Sequence, residues 1–241
     1  MKKYISLAVA VLIWIILWLL AGLMIGDSSV FAGPVETLQS LAQLCSDGKL
    51  ISAMMAIILL VAAGFIPGVI ISILLAALSV RNDLVRTFIS PLMAFMKTLP
   101  GVCMIVLLLI WMPGDAAQIL ISLFMTLPIV YDCVLKAVQS SDDELLEMAY
   151  VFRMGLADKI RYIYLPEMKA PLRGCLGAAL STAFKGALAA SFISQAEGSI
   201  GAGLYAAMTT PSAAMIIAWS LAAILAYLIM SLILRLIGEC I

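Results

Sequence analysis

Apolar residues run in long unbroken stretches along this chain, at about 4–25, 51–80, 89–112, 116–136, 172–195 and 212–237, with polar intervals between them. The hydrocarbon core of a bilayer is about 30 Å thick and takes about 20 helical residues to cross, so each stretch predicts a membrane-spanning helix, about six in all. The stretches lack the alternation a barrel strand needs, and only helices or a closed barrel satisfy every backbone group in lipid. The second stretch has 30 residues. As a straight helix it would reach about 45 Å, so it is expected to tilt, protrude or bend, with Gly64 and the pair Pro67-Gly68 as the natural bend.

Two polar intervals carry patterns of their own. In 26–50, Pro34 is followed by Val35, Leu38, Leu41, Ala42 and Cys45 at helical spacing, which predicts a short amphipathic helix on the outer surface. The interval 137–171 is far longer than two antiparallel membrane helices need between them. It opens with Ser141-Asp142-Asp143-Glu144, a capping box that starts a helix near Asp142. Along that helix Leu145, Met148, Ala149 and Phe152 form a narrow apolar stripe beside Glu144, Glu147 and Arg153. A second helical portion places Ile160, Ile163 and Tyr164 among Lys159 and Arg161, and Leu165-Pro166 is expected to close it, since proline disfavours helix at the residue before it. By pattern alone the stripe suits a lipid interface and a partner's groove equally.

Composition agrees with the hydropathy pattern. Of 241 residues 65% are hydrophobic and only 12% charged, against about 25% charged in soluble domains, and the mean hydropathy is +1.18. Formal net charge is zero, which gives no reason to expect a nucleic-acid partner. The placement of the charges is more telling. With the N-terminus inside, Lys2, Lys3, Arg81, Arg86, Lys136, Arg153, Lys159, Arg161, Lys169, Arg173 and Arg235 all fall on the cytoplasmic side and only Lys49 falls outside. That asymmetry predicts a multi-pass protein of a bacterial-type cell (inner) membrane with both termini cytoplasmic. Met1-Lys2-Lys3 before the run Tyr4–Ile25, with Val30-Phe31-Ala32 after it, resembles a secretory signal. The run exceeds the 7–15 residues of a signal core, so a retained first span is expected. The whole chain, 1–241, reads as one membrane domain.

Chemistry is sparse. There is no histidine and no GxxxxGK[ST] phosphate loop, and Cys45, Cys103, Cys133, Cys175 and Cys240 are scattered without a metal or disulfide spacing. No catalytic residue, metal site or cofactor is expected. Two basic residues lie inside expected spans, Lys97 and Lys185. Lys97 is close enough to its helix end to snorkel, whereas Lys185 lies near mid-span and is expected to face a protein interior or a water-filled path. No acidic partner is expected for Lys185 in another span, which leaves backbone carbonyls, the hydroxyls of Ser181, Thr182 and Ser191, water or an anionic solute. Pro100, Pro113 and Pro128 are candidate bends.

Between Glu144 and Pro166 the sequence resembles a known motif. Glu144-Leu145-Leu146-Glu147-Met148-Ala149, continuing to Tyr162-Ile163-Tyr164-Leu165-Pro166, is similar to the EAA loop of permease subunits in binding-protein-dependent ABC importers, in the nitrate/sulfonate/taurine-type branch. Glu147 matches the loop's glutamate, Ala149 its second alanine and Leu165-Pro166 its closing pair; Met148 replaces the first alanine, and the usual glycine falls on Arg153, with Gly155 two residues later. Pro91 with Lys97-Thr98-Leu99-Pro100 upstream, and Ala183-Phe184-Lys185-Gly186 and Gly198-Ser199-Ile200-Gly201 downstream, extend the likeness to roughly 33–237, with Ser191 where the family often has an acid.

The resemblance implies an all-α integral membrane protein with the type I ABC importer permease fold. It further implies a coupling helix in 137–171, with Glu144, Glu147, Met148, Ala149, Phe152, Arg153, Gly155, Leu165 and Pro166 facing the ATPase; from the lysines inside the spans, a translocation path is expected near Lys97, Pro100, Ser181, Lys185 and Ser191. ATP and magnesium would belong to a cytoplasmic ATPase dimer. A solute-binding protein outside the cell and a second permease copy, as a homodimer in the bilayer, would complete the assembly. Lys185 in that path would favour a small anionic solute. The rival reading is a secondary transporter or channel using Lys185, although such folds usually show midplane carboxylates and inverted repeats.

Overall fold

A computed structural model describes residues 2–25, 31–139 and 143–240, and every regular element among them is helical. In chain order these are α1 (Lys2–Ile25), α2 (Pro34–Ser46), α3 (Lys49–Arg81), α4 (Asp83–Thr98), α5 (Gly101–Trp111), α6 (Gly114–Gln139), α7 (Asp143–Val151), α8 (Leu156–Lys159), a π turn (Ile160–Tyr164), α9 (Leu165–Ser194), α10 (Ile200–Thr209) and α11 (Ala213–Cys240). Among the described residues four helices, α3, α6, α9 and α11, are long and apolar enough to cross a membrane, or five if α4 and α5 are counted as one broken span. In α1 the stretch Leu12–Gly22 is a shorter apolar helix.

The expected 89–112 span is therefore not a straight helix, because α4 and α5 meet at 102°. Pro100 causes the break: it disfavours helical geometry at Leu99 and offers no N–H to continue the ladder. Leu99 and Pro100 are both extended. Leu99 N–H still donates to Phe95 O, and Met104 N–H begins the new helix by donating to Pro100 O. At the other end of α4, Asn82 caps the first turn by accepting from Leu84 N–H at 2.9 Å.

Two compact units divide the chain, Met1–Ile57 with Ser191–Ala226, and Ile58–Ala190 with Tyr227–Ile241. In the first, α1 meets the segment before α2 where Trp18 Nε1 donates to Ala32 O at 3.0 Å. The expected helix after Pro34 is present as α2, but it buries Thr37 and Leu44 and leaves Val35 and Leu38 exposed. The start of α10 packs so closely on the end of α9 that a Cβ on Gly201 would overlap Ser191 and the Phe192 backbone. Gln195 (φ 51) and Gly198 (φ 70) turn the chain between those helices, and Ser199 Oγ caps α10 by accepting from Ala202 N–H.

The second unit is built around α6, half of whose apolar window is buried. Small residues let α3 lie against it: a Cβ on Gly64 would run into Ile119 O and Ser122 Cβ, and one on Gly68 would meet Thr126 Cβ at 3.0 Å. These glycines serve close approach, and α3 continues as one helix through Pro67 instead of ending or dividing there. Polar ties cross the same seam. Ser72 Oγ donates to Leu127 O at 3.0 Å, and Tyr131 OH to Ser79 Oγ at 3.0 Å. Buried Met104, Ile105 and Leu108 of α5 join Ala117 and Ile121 of α6 and Ala190 of α9 in a common core. On α3, Ile57, Val61 and Phe65 are buried, while many other large apolar side chains, among them Ile51, Met55, Leu59, Ile66, Ile70, Leu74 and Leu78, point outward. That arrangement suits a hydrocarbon solvent, in which close backbone packing rather than burial of large side chains holds helices together.

Candidate functional site

Lys97 and Lys185, far apart in sequence, line one cleft of about 470 Å³ formed by α4, α5, α6 and α9. Two glycines shape its walls. A Cβ on Gly186 would overlap Ile121 Cγ2, which draws α9 onto α6, and Gly101 brings the start of α5 against Met125. The rest of the lining is mostly apolar, including Val102, Ile105, Phe124, Met125, Pro128 and Ile129. The Thr182 hydroxyl is committed to Ala178 O at 3.0 Å.

Lys97 occupies the last turn of α4, just before the Pro100 break, where a cation complements the helix dipole. Its ammonium forms an ion pair with Asp132 of α6. The sequence offered snorkelling alone for this lysine, and the structure supplies it with a carboxylate partner. The absence of a carboxylate from the other spans, expected from the sequence, is corrected as well, because Asp132 lies well inside α6. An acid within the apolar run 116–136 was the available signal. Lys185 has no hydrogen bond or ion pair among the described residues, and its side chain is exposed to the cleft. With Lys97 offset by Asp132, the lining keeps one uncompensated positive charge.

Other residues expected along the path are placed differently. Ser191 is fully buried against Gly201 and does not reach the cleft. Ser181 is half-buried one turn from Lys185, and Pro100 sits exposed at the helix break; neither lines the cavity. Across α6 and α9, Cys133 and Cys175 lie side by side, a proximity that sequence spacing could not reveal. Cys133 Sγ donates to Pro171 O at 3.5 Å.

The polar loop forms a compact helical hairpin. Ser141 and Asp142 of the expected capping box lie outside the described residues; the helix itself is α7, from Asp143. Ala149 is fully buried and Leu145 half-buried, while Glu147, Met148, Tyr150, Val151 and Phe152 are exposed. The exposed apolar surface thus lies around the C-terminal turn of α7 rather than along the whole expected stripe. Arg153 ends that turn with φ 49. Met154 N–H donates to Ala149 O and Arg153 N–H to Tyr150 O, the double bond of a Schellman cap, which normally carries glycine at the left-handed position. Gly155 follows with an ordinary φ, and its carbonyl accepts from Lys159 N–H at 3.0 Å.

Leu165 and Pro166 do not close this hairpin. They begin α9, directly after the π turn. Proline is tolerated in a first helical turn, and the wider π turn before it absorbs the register change. The side chains of Glu144 and Leu165 fall outside the description, and Pro166 is exposed.

Comparison with known proteins bears on both regions. The profile of the family described as binding-protein-dependent transport system inner membrane component matches residues 68–241, which include the cleft, the hairpin and the last helices. The chain belongs to this family. It is a permease-type subunit of an ABC transport system and forms part of a translocation pathway, with ATP hydrolysis on a separate partner. A crystal structure of an amino acid ABC transporter with histidines has the same fold at a TM-score of 0.68 and 16% identity, covering 83% of the permease and 98% of that chain. Comparison with curated proteins gives no match.

Proposed function

We propose that the permease forms the path for a small anionic solute and that Lys185 is the side chain the solute meets. The observation carrying this reading is the convergence of two lysines on one otherwise apolar cleft, with an ion-pair partner for Lys97 and none among the described residues for Lys185. A cation in such low-dielectric surroundings favours an anion strongly and rejects a cation, which is how few side chains can set charge selectivity. Nitrate and sulfonates are anions of this kind, and taurine presents the same sulfonate group.

In the same reading the chain crosses the membrane six times, counting α1 and the α4–α5 pair as spans, with both termini in the cytoplasm. The α7 hairpin seats in a cytoplasmic ATPase, a second copy of the permease completes the path, and a solute-binding protein delivers cargo from outside. The charge asymmetry of the loops supports the orientation.

Lys185→Met tests the proposal in the reconstituted transporter. Transport of the anion is expected to fall tenfold or more, about 1.4 kcal/mol or greater, while assembly and ATP binding are unchanged. Unaltered transport kinetics would remove Lys185 from the path.

A further inference from the structure

A second cleft, of about 410 Å³, lies between the early turns of α9 and the last turns of α11. Arg173, Gly177, Tyr227, Ser231, Arg235 and Gly238 line it. Both arginines are exposed and neither has a carboxylate partner among the described residues. The cleft is open by construction: a Cβ on Gly174 or Gly177 would meet nothing within 4 Å. The Arg173 stem lies over α11 at Gly238, where a Cβ would sit in ordinary contact with it, 3.8 Å from Cγ and 3.9 Å from Nε. Two guanidinium groups are thereby gathered at one end of two neighbouring apolar helices.

The surroundings of the pair indicate what neutralises it. On α11, Leu228, Ile229, Leu232, Ile233, Leu236 and Ile237 are all exposed, and Arg235 borders that apolar face on the cleft side. Unpaired cations at the margin of a span are costly, and basic pockets between helices at the membrane surface are suited to anionic headgroups. Guanidinium presents a planar fork of donors that matches a phosphate group.

We propose that this cleft is a binding site for the phosphate headgroup of an anionic phospholipid. Arg173 and Arg235 donate to the phosphate oxygens, Ser231 and Tyr227 border the headgroup, and the acyl chains run along the exposed face of α11. A free phosphate would use the same arginines and leave the apolar face unused, so the two sources separate in the test.

The purified full-length permease, with its transport partners where they copurify, is titrated with phosphatidylglycerol, phosphatidylcholine and inorganic phosphate, and bound lipid is read by native mass spectrometry. Phosphatidylglycerol is expected to bind about tenfold or more tightly than phosphatidylcholine, a preference that weakens with salt. Arg173→Gln with Arg235→Gln is expected to abolish the preference. Gly177→Leu, which keeps both charges and fills the cleft, is expected to weaken phosphatidylglycerol binding on its own and so supplies a second arm should the double variant fold poorly. Equal binding of the two lipids, or retained preference in both variants, overturns the proposal. Complete displacement of phosphatidylglycerol by an equal concentration of inorganic phosphate overturns the lipid assignment.

Discussion

Arg153 holds a left-handed backbone conformation that costs an ordinary residue about 1–2 kcal/mol, and it does so because the two hydrogen bonds ending α7 require it. Arg153→Gly is therefore expected to stabilise this turn by about 1 kcal/mol after glycine's own entropic cost. Amide exchange at Met154 would slow several-fold; faster exchange would mean that contacts of the arginine side chain outweigh the backbone strain. Lys97 and Asp132 illustrate the opposite case, a charge pair whose members are inexpensive only together. Both side chains are partly exposed, so the attraction itself is worth about 0.2–1 kcal/mol, but either charge left alone beside the apolar cleft is penalised further. Asp132→Asn and Lys97→Met should each lower transport and thermal stability, and the exchanged pair Lys97→Asp with Asp132→Lys should recover part of the loss. No recovery would show that the positions matter for something besides their mutual charge.

At the scale of elements, the seam between α3 and α6 depends on the absence of side chains. Gly64 and Gly68 remove the atoms that would hold the helices apart, and Ser72 and Tyr131 add polar ties once the backbones are close. Gly64→Leu places a branched side chain against the Ile119 backbone oxygen, which a side-chain rotation cannot relieve. Overpacking of this kind costs about 1–3 kcal/mol, and more where backbone must move. A drop of several degrees in the unfolding midpoint of the detergent-purified permease, with reduced yield, is the expected result; an unchanged midpoint would mean the two helices can separate freely. The break between α4 and α5 belongs to this scale too. Pro100 interrupts the helix one turn after Lys97, so the cation sits where α4 ends and the cleft begins.

At the scale of the whole molecule, the two classes of exposed apolar surface have different surroundings. On α3 and α11 the exposed residues form long faces of helices able to cross a bilayer, where an apolar surface suits a hydrocarbon solvent. Tyr150, Val151 and Phe152, each at least 73% exposed, stand instead at the end of a nine-residue helix in the chain's longest polar interval. An apolar knob rimmed by Glu147 and Arg153 matches the anatomy of a protein interface, with an apolar centre and polar edge. Glu147→Arg and Phe152→Ser are each expected to reduce copurification of the ATPase at least tenfold, as loss of an interface anchor does, while leaving the permease's own thermal stability unchanged. Undiminished copurification in both variants would move the docking surface elsewhere.

The sequence by itself determined where the chain is helical and apolar, because a long apolar run in lipid must satisfy its backbone internally, but it did not determine that the 89–112 run breaks at Leu99-Pro100. It also located the polar hairpin, since its length and apolar spacing are local properties, and its motif pointed to the family that the profile match then gave. What it left open were relations between distant positions. The distinction between glycine as a bend and glycine as a contact, seen at Gly64, depends on what lies opposite. The same holds for the pairing of Lys97 with Asp132, the neighbouring of Cys133 and Cys175, and the burial of Ser191. The Leu165-Pro166 junction differs in kind: proline ends one helix or begins the next with the same local preference, and only the π turn and the continuation into α9 chose between them. Local preference is written residue by residue, whereas partners across helices exist only once the helices have packed.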